Sequence, residues 1–186
     1  NLNRVYLGDL KRAGVGTIHF SLESTDEKEN DAMRGAPGHF KKVMESIDEA
    51  KKLGFAVCLS TVVMHNGLDR MMDMVEFAKE QGTGIVFSPA CVSGRLSEDR
   101  DALLTREEWD SMLDYMKENP RVRCDFTINF SMRQECPGGR EKIGISCYGD
   151  VISCGMNPVS FGNVRDEPLE KIWRRMQQFP DFKRRT

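Results

Sequence analysis

Short runs of alternating apolar and polar side chains recur along this chain, separated by longer stretches with a helical period. Residues 17–23, TIHFSLE, alternate strictly and therefore predict a β-strand with one apolar and one polar face. Further β-prone runs cover residues 55–63 and 85–88, and a shorter one covers residues 122–128. The pattern thus predicts three main strands and a short fourth strand before the last third of the chain.

The stretches between these strands carry apolar residues at the three- and four-residue spacing of amphipathic helices. Thr105 and Glu108 predict a capping box at the start of one of these helices, in which each side chain accepts a hydrogen bond from the other residue's backbone amide. Residues 24–37 are interpreted as a polar connection. The predicted helices cover residues 2–13, Phe40 to Gly54, Leu68 to Gln81, Thr105 to Asn119, and a final stretch that starts near Pro168.

The alternation of strands and helices, at about 30 residues per unit, predicts right-handed βαβ units and a parallel sheet. Three such units form either half of a β/α barrel or a small doubly wound sheet. In a barrel, the inward side chains near the carboxyl ends of the strands carry function. By alternation, these inward positions include Ser21, Glu23, Ser60 and Ser88. Hydroxyl groups and one carboxylate at strand ends leave room for a ligand and can hydrogen-bond to it.

A segment rich in cysteine and glycine, CPGGREKIGISCYGDVISCGMNPVSFGNV, covers residues 136–164. Gly149 and the Asp after it lie between two β-prone runs, which is a strong signal for a β-hairpin. Such a hairpin can bring Cys136 and Cys154 toward one soft metal centre. Thiolate ligands suit zinc or iron–sulfur clusters, so the residue types alone leave both open.

The composition limits the classes of partner. The formal net charge is −2 without a long block of one sign, which gives no electrostatic reason to propose nucleic acid or a membrane surface as a partner. No apolar run approaches the roughly 20 residues that span a bilayer. A chain of 186 residues can bury a core without cross-links, so its six cysteines favour metal or free thiols in a cytoplasmic protein over three disulfides.

The cysteine segment resembles a known module. Cys136, twelve residues, Gly149, four residues and Cys154 match the opening motif of the SPASM/Twitch domain, which holds an auxiliary iron–sulfur cluster in many radical S-adenosylmethionine enzymes. The sequence FGNV at residues 161–164 and the helix after it are similar to that module's continuation. The resemblance covers residues 126–186 and implies a truncated auxiliary cluster domain.

The same resemblance implies ligands for a [4Fe–4S] cluster. Cys136 and Cys154 are the implied ligands, and Cys147 on the same hairpin is a further candidate that the module's pattern does not require. The remaining three cysteines are interpreted as small buried hydrophobic residues. These three are Cys58, Cys91 and Cys124. Cys91 lies in a loop at the presumed active rim, so the alternative for it is a thiol that faces the substrate.

The first part of the chain resembles the later strands of the radical S-adenosylmethionine partial barrel. In that family a strand ending in Ser-Leu-(Asp/Glu) precedes an Asp…Arg-Gly…Gly-Phe pattern, which here reads Ser21-Leu22-Glu23 followed by Asp31, Arg34-Gly35 and Gly38-His39-Phe40. The resemblance implies that Ser21 and Arg34 bind the amino-acid end of S-adenosylmethionine. It also implies that Glu23 belongs to the cofactor site and that Ser60 and Ser88 line the cofactor or substrate cavity.

Together the two resemblances imply an α/β fold: the C-terminal half of a partial (β/α)6 barrel with parallel strands over residues 1–125, then a small hairpin-plus-helix module. The family's Cys-x3-Cys-x2-Cys motif is not among these residues, and the sequence begins at Asn1, without an initiator Met and directly at a predicted helix, so we expect a fragment of a longer protein. The implied enzyme uses a deoxyadenosyl radical to abstract hydrogen from a peptide or small-molecule substrate. A reductase or ferredoxin is the implied electron donor.

Two other interpretations remain open. The first is a binding module without radical chemistry, in which a hairpin similar to a zinc ribbon holds zinc or an iron–sulfur cluster on an α/β scaffold. The second is an ordinary β/α-barrel enzyme whose cysteines are structural. Stoichiometric zinc in a colourless protein would indicate the zinc form of the first, and a protein without metal would indicate the second.

Overall fold

A computed structural model describes residues 4–91, 96, 98–119, 122–124, 138–155 and 157–182. The backbone contacts divide the chain into two compact units. The first comprises Asn1–Ala90 and Arg95–Asp125, and the second comprises Cys91–Gly94 and Phe126–Thr186. Each unit has its own sheet.

The first unit is a parallel sheet with helices between its strands. Its strand order is β1-β2-β3-β4, and each neighbouring pair is parallel. This is the predicted βαβ arrangement. In chain order the elements are α1 Arg4–Arg12, β1 Thr17–Ser21, α2 Glu27–Arg34, α3 His39–Lys52, β2 Ala56–Val63, α4 Leu68–Glu80, β3 Gly84–Pro89, α5 Arg106–Glu118 and β4 Arg123–Cys124.

One face of this sheet forms the core of the first unit. In β1, Ile18 and Phe20 are buried and their polar neighbours in the strand are exposed, as the alternating pattern predicts. Leu59 and Phe87 continue this face on β2 and β3 and are 0% exposed. Helix α3 contacts β1 and β2, and α4 contacts β2 and β3. The side chains on the opposite face of β1 to β3 are half-buried or exposed, and serines are among them.

Helix α2 lies inside the stretch that was interpreted as a polar connection, so that interpretation is wrong for residues 27–34. Its sequence, EKENDAMR, lacks an apolar stripe, and within the helix only Asn30 is buried. The two ends explain why it forms. The Asp26 side chain accepts a hydrogen bond from the Glu29 amide, and Gly35 closes the helix at a φ of 61°.

The second unit is a three-stranded antiparallel sheet with one helix. Its strands are β5 Gly144–Ile145, β6 Asp150–Cys154 and β7 Asn157–Asn163, and its helix is α6 Leu169–Gln178. The hairpin of β5 and β6 and the final helix agree with the predictions, whereas β7 was not predicted as a strand. Val151, Ile172 and Met176 are each 0% exposed and join the sheet to the helix.

The turn of the hairpin is tied to β7 by one side chain. The Asn163 amide donates to the Tyr148 carbonyl at 3.0 Å and to Asp150 Oδ1 at 3.1 Å, and its Oδ1 accepts from the Arg165 amide at 2.9 Å. Gly149 has a φ of 91°, and a Cβ added there would lie 2.5 Å from Asn163 Oδ1. The turn therefore requires glycine for its conformation and for space.

The capping box at the start of α5 also holds a loop from elsewhere in the first unit. Thr105 and Glu108 satisfy each other's backbone amides, as predicted. Glu108 also accepts from the Asn66 amide at 2.6 Å and lies 2.9 Å from His65 Nδ1. The hydrogen bond with His65, followed by that from the Thr105 amide, lowers the pKa of Glu108 from its usual 4.5 to about 2. One carboxylate thus fixes both the helix start and the loop after β2.

None of the helices in the described part of the chain is long and apolar enough to cross a membrane.

We expect Glu108 to make stability depend on acid pH. Because its pKa is lower in the folded state, the stabilisation is complete above about pH 4.5 and is lost as the pH falls toward 2. Glu108→Gln lacks this contribution, so urea unfolding at a series of pH values should show wild type and variant converging as the pH decreases. Glu107→Gln, on the exposed side of the same turn, is the control and should follow wild type at each pH. A constant difference between wild type and Glu108→Gln would contradict this role.

We expect Gly149→Ala to destabilise the hairpin by roughly 1–2 kcal/mol, because an L-residue is unfavourable at positive φ and its Cβ would displace the Asn163 side chain. Native-state hydrogen exchange in β5 and β6 measures the effect locally. Gly155→Ala is the matched control, since no atom lies within 4 Å of an added Cβ at that position. Equal exchange rates in the two variants would show that the turn does not need glycine.

Candidate functional site

The register of the parallel strands places the predicted hydroxyl groups on one face of the sheet. Ser21 of β1 is paired with Ser60 of β2, so the structure brings these two residues together on neighbouring strands. Ser88 of β3 is paired with Val62, two residues further along β2 and on the same face as Ser60. Ser88 therefore lies one row nearer to the carboxyl edge. Ser21 is exposed and the other two serines are half-buried.

His19 belongs to this polar face, although the sequence interpretation gave it no role. It is exposed, and its Nδ1 lies 3.3 Å from Ser60 Oγ. The alternation of β1 places it on the same face as Ser21, which is the signal that could have identified it. The face thus combines an imidazole with hydroxyl groups, all of which can exchange hydrogen bonds with a polar ligand.

Glu23 and Arg34 form a partly buried ion pair just beyond the end of β1. Arg34 Nη1 donates to Glu23 Oε1 at 3.1 Å, and the Val62 amide donates to Glu23 Oε2 at 2.8 Å. The Glu23 side chain is 6% exposed and that of Arg34 is 38% exposed. The carboxylate is therefore enclosed between the guanidinium and β2, whereas part of the guanidinium remains accessible to a ligand.

The loop after β1 is held in place by further hydrogen bonds to buried polar groups. Asn30 is 0% exposed and accepts from the Glu23 amide at 3.0 Å. Asp31 accepts from the amides of Gly38 and Phe40, the latter at 2.8 Å. The Phe40 amide is the main cause of a lowered pKa of Asp31. The Asp…Gly-x-Phe residues of the sequence pattern therefore connect α2 to the start of α3.

The role of Asn30 was missed from the sequence. It lies in a run of charged residues without apolar periodicity, so no local pattern distinguishes it from its exposed neighbours. Its role depends on the fold, because Asn30 binds the backbone amide of Glu23, whose side chain contacts Arg34 and the Val62 amide.

In the second unit, the predicted cluster ligands occupy different environments. Cys154 is half-buried at the end of β6, and Cys147 is exposed in the turn between β5 and β6. Cys136 lies outside the described residues, so its position relative to Cys154 remains a prediction. In the described part of the chain, no three residues among His, Cys, Asp and Glu are grouped closely enough to hold a metal ion.

Cys154 borders a cavity of about 190 Å³ within the second unit. Small residues form much of its wall, which leaves space next to the thiol. One of them, Gly138, follows Cys136 by two positions in the sequence. The lining residues are Gly138, Lys142, Ile143, Gly144, Ser153, Cys154 and Gly155.

The other three cysteines differ from their prediction as buried hydrophobic residues, because each of them is half-buried. Two of their thiols donate to backbone carbonyls. Cys124 Sγ donates to the Phe87 carbonyl at 2.8 Å, and Cys58 Sγ to the Leu59 carbonyl at 3.6 Å. A thiol is a weak donor, and a carbonyl partner satisfies it in a half-buried position.

Two family models match the chain. Residues 2–78 match the radical SAM superfamily, and residues 136–186 match an iron–sulfur cluster-binding domain, SPASM. The AdoMet-dependent heme synthase of Methanosarcina barkeri is 24% identical over 91% of this chain and 56% of that protein. The corresponding enzyme of Nitratidesulfovibrio vulgaris is 24% identical over 94% of this chain and 55% of that protein. The chain thus spans about half the length of the curated relatives it matches.

Solved structures share the fold. The chain superimposes on native anSMEcpe with bound AdoMet at a TM-score of 0.63 and 14% identity, covering 97% of this chain and 54% of that one. It matches Streptococcus suis SuiB bound to the precursor peptide SuiA at the same TM-score with 15% identity, covering 98% of this chain and 46% of that one. The predicted fold class, half of a partial barrel followed by a small hairpin-and-helix module, is therefore confirmed. The resemblance to radical S-adenosylmethionine enzymes with a SPASM domain is thus confirmed for residues 2–78 and 136–186, and these two domains imply S-adenosylmethionine and [4Fe–4S] clusters as cofactors.

Proposed function

We propose that this chain forms part of a cytoplasmic enzyme that abstracts hydrogen from its substrate by radical chemistry. Residues 1–125 are the segment that binds S-adenosylmethionine, and residues 126–186 hold an auxiliary [4Fe–4S] cluster. The observation that carries this proposal is the placement of an accessible guanidinium and a row of hydroxyl groups at the carboxyl edge of one parallel sheet. S-adenosylmethionine, when bound here and cleaved reductively at a cluster held outside these residues, would supply the deoxyadenosyl radical.

The described residues fit the chemistry of the cofactor. Arg34 presents donors in a planar fork that suits the carboxylate at the amino-acid end of S-adenosylmethionine, and Ser21 can donate to the same group. Glu23 belongs to this site as the partner of Arg34. Ser60 and Ser88 line the cavity for cofactor or substrate further along the face. Their small side chains leave the space that a bound molecule needs.

The auxiliary cluster is assigned to the second unit. A [4Fe–4S] cluster is held by about four thiolates. Cys154 supplies one next to the cavity of about 190 Å³, and Cys136 supplies a second. Two residues span at most about 7 Å of extended chain, so Cys136 is within reach of the cavity that Gly138 lines. Cys147 in the adjoining turn is the third candidate ligand.

We assign a peptide as the substrate and a reductase or ferredoxin as the electron donor. Support for the peptide comes from the structural neighbours, since anSMEcpe was solved with the Cp18Cys peptide and SuiB with SuiA. The formal net charge of −2 gives no reason to add nucleic acid or a membrane surface to the partners.

A second candidate is a step in heme synthesis that depends on S-adenosylmethionine. The curated relatives named heme synthases support it, because their 24% identity extends over more than 90% of this chain. The solved structures with peptides are more distant in sequence, at 13–15% identity. Both candidates use the same cofactor site and differ only in the substrate.

We expect the auxiliary cluster to depend on Cys136 and Cys154. The protein expressed from its complete gene is reconstituted anaerobically, and its iron and sulfide are measured together with its visible absorbance. Cys136→Ser and Cys154→Ser should each lose about four irons per chain, the content of one cluster. Cys147→Ser reports on the third ligand. Cys58→Ser, which alters a thiol of the first unit, is the matched control and should retain the iron content of wild type.

The two alternatives give different results in this experiment. Stoichiometric zinc in a colourless protein would indicate a structural thiolate module. A metal content that is zero in wild type and unchanged in both variants would indicate structural cysteines and an ordinary barrel enzyme.

The substrate is tested by genetic complementation. We expect the complete gene to leave heme synthesis unrestored in a Methanosarcina barkeri strain that lacks its own AdoMet-dependent heme synthase, because the proposed substrate is a peptide. Cellular heme is measured by its absorbance, with the M. barkeri gene as the positive control. Restored heme synthesis would contradict the assignment of a peptide substrate and support the second candidate, and the assignment of the cofactor site would not change.

A further inference from the structure

We propose that Glu23 is a positioning residue that orients Arg34 toward the amino-acid carboxylate of S-adenosylmethionine and does not itself touch the cofactor. This inference rests on the proposed function, in which Arg34 binds that carboxylate. The sequence pattern places Glu23 in the cofactor site but does not say whether it contacts the cofactor or acts through another residue. The distinction follows from the contacts of the two side chains.

Both oxygens of Glu23 already have partners within the protein. Oε1 accepts from Arg34 Nη1 at 3.1 Å, and Oε2 accepts from the Val62 amide at 2.8 Å. A carboxylate has further lone pairs, but this side chain is only 6% exposed, so a ligand has no access to them. A hydroxyl or ammonium group of a cofactor therefore cannot reach Glu23 without displacing one of these partners.

Arg34 has the complementary property. A guanidinium carries five N–H donors, and the contact with Glu23 uses one of them. Its side chain is 38% exposed, so the other donors are available to a carboxylate. A free arginine side chain loses considerable rotamer entropy when it is immobilised. Glu23 meets that cost during folding, before a ligand binds, which is the energetic advantage of preorganisation.

The connection to β2 makes this orientation rigid. Glu23 is joined to Val62 across 39 residues of sequence, and its neighbour Leu22 donates to the Ser60 carbonyl at 3.1 Å and accepts from Thr61 Oγ1 at 2.6 Å. Helix α2, which carries Arg34, has only the polar Asn30 among its buried residues. The guanidinium is thus fixed by the sheet through Glu23 more than by the packing of its own helix.

The informative substitution is Glu23→Asp. Glu23→Gln removes a negative charge near the ligand carboxylate, which favours binding, and also disturbs the orientation of Arg34, so its two effects oppose each other. Aspartate keeps the charge but is one methylene shorter and cannot span both Arg34 and the Val62 amide. A change in affinity in Glu23→Asp therefore reports on orientation.

The probes are S-adenosylmethionine, without reductant so that no turnover occurs, and 5′-methylthioadenosine, which keeps the nucleoside but lacks the amino-acid end. Binding to the anaerobically reconstituted protein from the complete gene is measured by calorimetry. We expect Glu23→Asp to lower the affinity for S-adenosylmethionine by roughly three- to tenfold, which corresponds to the cost of ordering one long side chain on binding. Binding of 5′-methylthioadenosine should be unchanged. Equal weakening of both probes, or of neither, would overturn the proposal.

Two comparisons separate this role from simple destabilisation. Thr61→Val removes another bond between the same loop and β2 without touching Arg34, so it should lower thermal stability and leave both affinities at the wild-type value. Arg34→Ala should lower the affinity for S-adenosylmethionine, and the double variant with Glu23→Asp should have the same affinity as Arg34→Ala alone. Additive effects would indicate direct contact by Glu23 and would overturn the proposal.

The same data distinguish failure of the inference from failure of the proposed function. A protein that does not bind S-adenosylmethionine at all contradicts the proposed function. Binding that Arg34→Ala leaves unchanged contradicts the assignment of Arg34. Binding that depends on Arg34 but is insensitive to Glu23→Asp contradicts the positioning role alone.

Discussion

The parallel register between β1 and β2 is the constraint on which the arrangement of the first unit depends. It pairs Ser21 with Ser60, and because side chains alternate, it directs Phe20 and Leu59 into the core on the other face. A shift by one residue would exchange these sets and place the hydroxyl groups among the helices. Burial of the apolar face thus decides the position of the polar one.

That constraint extends beyond the strands. Leu22 continues the hydrogen bonding of β1 to the Ser60 carbonyl, which brings Glu23 next to the Val62 amide. The carboxylate then fixes Arg34 at the end of α2. A contact between residues far apart in sequence is therefore a consequence of strand pairing, and the chemistry at the sheet edge follows from the packing beneath it.

The elements with strong periodicity could be predicted from the sequence, and those held by individual side chains could not. Strands β1 to β3 and helix α3 have clear patterns of period two or 3.6. Helix α2 has none and exists because of its caps and Asn30, while β7 contains Pro158 and Gly162, which weaken any strand pattern. Motif spacing indicated the cysteine module. The bond between Glu23 and Val62 depends on register, which no local pattern specifies.

The hydrogen bonds between the Asn163 side chain and the hairpin turn show which residues hold the second unit together. The amide and backbone contacts of Asn163, together with the apolar contact of Val151 with Ile172, involve no sulfur atom. The residues that make these contacts are thus separate from the proposed cluster ligands. A variant that lacked the thiols would therefore retain the contacts that join the turn to β7 and the sheet to α6.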